Sequence, residues 1–216
     1  MAHIHLEDGS FSLFFALLWW TAAIILAGIA ICLMRSEKKP DRRRLTLAAF
    51  CTAAAFAIFQ VSIPIFGGVH LNLTPLIGIL AGPAAGSLVV LIINILSAAI
   101  GHGGWGLIGA NTLINIVEVF MGYSCFRLLK STIPDLFSRA GIATLAGLFC
   151  GNIVMILIIV ISGVQGVDQS TGQILTGLSL IAAVNMGVAV IEAFVTGLIV
   201  ASIGKVRPDL LGEDLS

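Results

Sequence analysis

Apolar residues run along this chain in long blocks: Phe11 to Met34, Leu45 to Phe66, Leu71 to Ile100, Leu107 to Leu129, Ile142 to Ser162 and Leu175 to Ile203. A helix that crosses the ~30 Å hydrocarbon core needs about 20 apolar residues. Each block is long enough, and the third is too long, since a straight helix over it would reach about 45 Å. It also holds Pro75 and the Ala81-Gly82-Pro83 breaker. A residue before proline is steered away from helix. The pattern therefore predicts a short third helix over about 71–82 and a fourth over about 84–100, seven spans in all.

Charge placement tests that split. Lys and Arg favour cytoplasmic loops. Arg35, Lys38, Lys39, Arg42, Arg43 and Arg44 make the first connection cytoplasmic and put the N-terminus outside. With seven spans Arg127, Lys130, Arg139, Lys205 and Arg207 fall on the same side, so all 11 basic residues do. A single span over 71–100 would send the last five outside. The acidic residues before the first block, Glu7 and Asp8, and the basic patch after it argue against a cleaved leader.

Composition narrows the class further. Hydrophobic residues make up 58% and charged residues 10%, against roughly 25% charged in soluble domains. A soluble enzyme and a disordered chain are excluded, and the expectation is an all-α polytopic protein of the cell membrane. The formal charge of zero supplies no basic field for nucleic acid. Cys32, Cys51, Cys125 and Cys150 are scattered through apolar blocks, as buried thiols are. There is no G-x-x-x-x-G-K-[ST] phosphate loop, no Gly-x-Ser-x-Gly and no His-Glu-x-x-His.

The candidate chemistry lies at the outer face. All four histidines, His3, His5, His70 and His102, fall there in the seven-span topology, and the outer loops 67–71, 101–106 and 163–174 carry no Lys or Arg. Imidazoles without competing cations suit capture of a divalent metal. A histidine in second position offers three nitrogens in nearly flat chelate rings: the terminal amine, its own amide and its ring. His3 is second if the initiator Met is removed to leave Ala2, and third if Met1 is retained, when the N-terminus alone fills a square plane. The plainer alternative is an N-terminus with incidental histidines. His70 follows Gly67-Gly68 at the mouth between two spans, as metal ligand or as an interfacial imidazole bonded to backbone. His102 sits in Gly101-His102-Gly103-Gly104. Asn111, Asn115 and Glu118 share one helix face, and Glu118 and Glu192 are the carboxylates placed inside spans. Either could be structural, as could the asparagines. Ala49, Ala53 and Ala57 form a small-residue stripe on the second span, suited to an internal contact or to a partner helix.

Three segments carry a family resemblance: the Xaa-His-Ile start with Asp8-Gly9 soon after; Pro64-Ile65-Phe66-Gly67-Gly68-Val69-His70-Leu71-Asn72-Leu73-Thr74-Pro75, leading to Ala81-Gly82-Pro83; and Gly101-His102-Gly103-Gly104 followed by Gly109-Ala110-Asn111-Thr112. On these the chain resembles the substrate-binding membrane subunits of cobalt and nickel energy-coupling-factor importers, the CbiM/NikM family. The resemblance covers residues 2 to about 125 well, and the remainder as generic spans.

It implies one integral membrane unit over 1–216: an external metal-binding N-terminus (1–10), an extra first span (11–34), a six-span substrate-binding core (45–203) and a cytoplasmic tail (204–216). It implies Co(II) or Ni(II) as transported substrate, with no resident cofactor. The implied ligands are the Ala2 amine, the amide and ring of His3, and His70. His5, His102, Asn72 and Asn111 are further candidates near the metal. The family start is usually Met-His-Ile-Pro-Asp-Gly; aligning Asp8-Gly9 with it would place His5 on the family histidine, and His3 is preferred because it keeps the amine in register. The implied partners are a transmembrane coupling subunit, docked on the Ala49–Ala53–Ala57 stripe, two ATP-binding cassette ATPase subunits and a small accessory membrane subunit, in the service of cobalamin biosynthesis or nickel enzymes. The rival readings are a vitamin-binding component of the same transporter class and a membrane metallo-hydrolase.

Overall fold

The structure, a computed structural model, describes residues 8–36, 42–59, 62–63, 69–101, 103–166 and 170–211. The order is α1 (Leu13–Ser36), α2 (Arg42–Phe59), β1 (Ser62–Ile63), β2 (Val69–His70), α3 (Thr74–Ala99), α4 (Ile108–Leu128), α5 (Leu136–Ser162) and α6 (Thr171–Val206). Five helices are long and apolar enough to cross a membrane: α1, α3, α4, α5 and α6. The expected all-helical architecture holds apart from one small antiparallel pairing, Ser62 opposite His70 and Ile63 opposite Val69, between α2 and α3.

The boundaries follow local chemistry. Asp135 caps α5 by accepting from the Ser138 amide at 2.8 Å, so α5 starts six residues before the expected Ile142. Ser170 and Gln173 cap α6 reciprocally. Arg139, expected in a loop, therefore lies on α5; it is 1% exposed, and its guanidinium sits 4.3 Å from the Phe126 ring centroid.

The predicted break at Gly82 is present inside α3, where φ is 79° and ψ 170°. Glycine adopts that φ without a Cβ clash, and Pro83 prevents the helix from closing over it. The break is sharp. A Cβ on Gly86 would lie 3.5 Å from Ile77 Cγ2, although nine residues of straight helix span about 13.5 Å. The two halves join directly at the break, and the first, Thr74–Ala81, begins three residues later than expected.

Packing relies on small residues, as it does where lipid removes the hydrophobic drive between helices. α1 turns Ala23, Ala27 and Ala30 inward and leaves Leu17, Ile24, Ile25 and Leu33 exposed. On α2, Cys51 and Ala55 are buried, while Ala49, Ala53 and Ala57 are exposed on the other face. On α5, Gly147 and Gly151 form a G-x-x-x-G pair against α4: a Cβ on Gly151 would lie 2.3 Å from Glu118 Oε1, and one on Gly147 would lie 2.9 Å from the Glu118 carbonyl oxygen.

Candidate metal-capture site

One end of the bundle gathers the start of α1, the α3–α4 turn and the α5–α6 turn. The Asp8 carboxylate accepts a hydrogen bond from the Gly106 amide at 2.9 Å. The turn is shaped for it, since a Cβ on Gly104 would lie 2.4 Å from Asp8 Oδ1. Ser10 accepts from the Gln165 amide at 2.8 Å. Trp20 Nε1 donates to the Trp105 carbonyl at 2.9 Å, and Trp19 Nε1 to Ser162 Oγ at 2.8 Å. The first described residues are thus moored between the glycine-rich turn that follows His102 and the turn after α5.

Beyond β2 the chain enters the bundle. Asn72 is 4% exposed, and its amide donates to Glu192 Oε2 on α6 at 3.1 Å. Thr74 Oγ1 donates a hydrogen bond to Glu118 Oε2 on α4. Between them Leu73, the N-cap of α3, has φ 53° and ψ 23°, the one positive φ outside glycine among the described residues. A left-handed conformation costs a non-glycine residue about 1–2 kcal/mol. Glu118 and Glu192 are both 0% exposed.

Asn111 and Asn115 precede Glu118 on the buried face of α4, at 3% exposure each. Nearby, Asn94 Nδ2 donates to Thr112 Oγ1 at 3.3 Å, and Asn185 Nδ2 to Asn152 Oδ1 at 2.9 Å. This polar core runs from the moored end into the bundle. Its helix-to-helix asparagine pairs are not legible as pairs in the sequence, and the G-x-x-x-G of α5 was the available signal for the seat of Glu118.

Of the sequence candidates, Asn72 and Asn111 lie in this core, and His70 lies in β2, its backbone paired with Ser62. Ala2, His3, His5 and His102 lie outside the described residues. Among the described residues no three His, Cys, Asp or Glu side chains cluster as a metal site.

A bundle of long apolar helices with a buried polar core defines a multi-pass membrane protein. The chain belongs to the CbiM family, the cobalt uptake substrate-specific transmembrane region, which matches residues 5–210. It is similar to the cobalt transport protein CbiM of Sorangium cellulosum, 26% identical over 214 residues that cover 96% of this chain and 94% of that one. It is also similar to a chain of Archaeoglobus fulgidus that bears the provisional name fused nickel transport protein NikMN, 29% identical over 97% of this chain and 68% of that one. Its fold matches the crystal structure of a transition metal transporter with a TM-score of 0.78, at 20% identity, over 94% of this chain and 93% of that one.

Proposed function

We propose that this chain captures Co(II) or Ni(II) at the outer face, as the substrate-specificity subunit of an importer whose partner subunits hydrolyse ATP. The ligands are the Ala2 amine, the His3 amide and ring, and His70, with His102 near the rim. The observation that carries the reading is the mooring of Asp8 on the Gly106 amide. It ties the start of the described chain to the turn between α3 and α4, and six residues, which reach at most about 20 Å, separate Asp8 from Ala2 in sequence.

The seven-span topology is part of this proposal. Cβ atoms on Gly78 and Gly86 would both meet Val119, at 2.2 Å from its carbonyl oxygen and 2.7 Å from Cγ1. Asn94 meets Thr112, nearer the moored end of α4. The second half of α3 thus runs antiparallel to α4, toward its moored end. The break at Gly82 and the grouping of all 11 basic residues on one side support seven spans, with the N-terminus outside and the C-terminus cytoplasmic. The exposed Ala49–Ala53–Ala57 face is the docking stripe for the coupling subunit, beside two ATPase subunits.

The test is nickel titration of the purified full chain. His70→Ala should weaken binding at least tenfold, about 1.4 kcal/mol, and His102→Ala should weaken it less. Acetylation of the terminus should abolish tight binding. Wild-type affinity in His70→Ala removes His70 from the site, turnover of a scissile substrate supports the hydrolase, and binding of a vitamin without metal supports the other importer class. A second register uses His5, because the family match opens at residue 5. Intact mass, with His3→Ala beside His5→Ala, separates the two.

A further inference from the structure

We infer that Glu192 and Glu118 are positioning residues that clamp the strand carrying His70. Four consecutive residues after it carry the argument. Leu71 leads out of β2; Asn72 gives its amide to Glu192; Leu73 turns into the left-handed region; Thr74 gives its hydroxyl to Glu118. The two carboxylates come from different helices, α6 and α4, and grip the chain on either side of its one non-glycine left-handed turn among the described residues.

Nothing in helix packing requires this. α3 begins at Thr74 with no side-chain cap from Leu73, and an apolar bundle is not stabilised by burying two carboxylates. Glu192 Oε1 and both polar atoms of the Asn72 carboxamide have no hydrogen-bond partner among the described residues, although they are buried. Unbonded buried polar groups and a left-handed leucine within three residues are the concentration of unfavourable terms that functional sites carry. The clamp fixes where the backbone of residue 70 emerges, two residues before the Glu192 contact. A ligand that must close a metal plane needs such fixing, because groups outside the coordination shell orient those inside it.

This inference rests on His70 as ligand, and the experiment keeps the two apart. Metal-free amide hydrogen exchange over residues 69–74, followed by mass spectrometry on the detergent-purified full chain, reads the clamp directly. Glu192→Ala should speed exchange there at least tenfold, whereas Glu192→Gln, whose amide oxygen still accepts from Asn72, should stay within threefold of wild type. Titration with nickel(II) alone should follow the same order, with at least tenfold weaker binding in Glu192→Ala, near wild-type binding in Glu192→Gln, and an altered visible absorption band of bound nickel in the alanine variant only. Thr74→Val keeps shape while removing the hydroxyl, and should also speed exchange; it carries the test if Glu192→Ala does not fold. Unchanged exchange in both Glu192→Ala and Thr74→Val overturns the clamp, as does a glutamine variant as impaired as the alanine. If nickel binding is indifferent to His70→Ala, the capture site falls, while the exchange rates still decide the clamp.

Discussion

Asp8 and Gly106, 98 residues apart in the chain, are joined by a hydrogen bond of 2.9 Å from the glycine amide to the carboxylate. That bond ties the N-terminal segment to the turn between α3 and α4. The chain needs it because α1 turns much of its surface outward, and its inward alanines alone would not fix where the residues before it go.

Loss of this mooring should be visible both in metal binding and in stability. A hydrogen bond of this kind contributes about 0.5–1.5 kcal/mol. Asp8→Ala should therefore weaken nickel binding by about twofold to tenfold. Unfolding should become easier by a similar amount, about 0.5–1.5 kcal/mol. Gly104→Val should do the same, since its Cβ would lie 2.4 Å from Asp8 Oδ1. Isothermal titration beside thermal melts checks both.

Gly151 predicts a packing cost. A Cβ there would lie 2.3 Å from Glu118 Oε1 and 2.5 Å from its Cγ, and Glu118 is 0% exposed, so little room exists for it to move. Gly151→Ala should destabilise the bundle by about 1–3 kcal/mol, the usual cost of overpacking. Gly187→Ala on α6, with nothing within 4 Å of its Cβ, should be neutral or better. Melting temperatures in detergent decide between them.

The cap of α5 predicts a pH dependence. The hydrogen bond from the Ser138 side chain, with those from the Ser138 and Phe137 amides, holds the Asp135 carboxyl below its ordinary value of 3.8. A depressed carboxyl stabilises the folded state above its unfolded value and loses that contribution as pH falls through the folded one. The stability gap between wild type and Asp135→Ala should therefore be constant from pH 7 to 5 and shrink below about pH 4. Melts at pH 7, 5 and 3 check this, and a gap that widens at low pH would contradict it.

The exposed stripe of α2 predicts a partner effect. Ala53→Leu adds bulk where Ala49, Ala53 and Ala57 face outward. Co-purification with a coupling subunit should be lost, because bulk stops close helix approach. Nickel binding by the isolated chain should survive, since Cys51 and Ala55 make the inward contacts. Loss of both would mean that the stripe packs internally.

What the sequence determined by itself is what a single segment can encode. Apolar block length sets the helices, Gly82-Pro83 sets the break in α3, and the lone carboxylates Glu118 and Glu192 stand out because lipid tolerates few charges. Each is a property of neighbouring residues and one solvent. The tertiary structure alone decided that Asp8 reaches Gly106, that Glu192 reaches Asn72 across 120 residues, that Arg139 is buried against Phe126, and which face of α2 stays open. Those pairings depend on the order and tilt in which separate helices pack, and no local pattern carries that information. Hydropathy marks what enters the membrane, and the fit of glycines against neighbouring helices chooses which buried polar groups meet there.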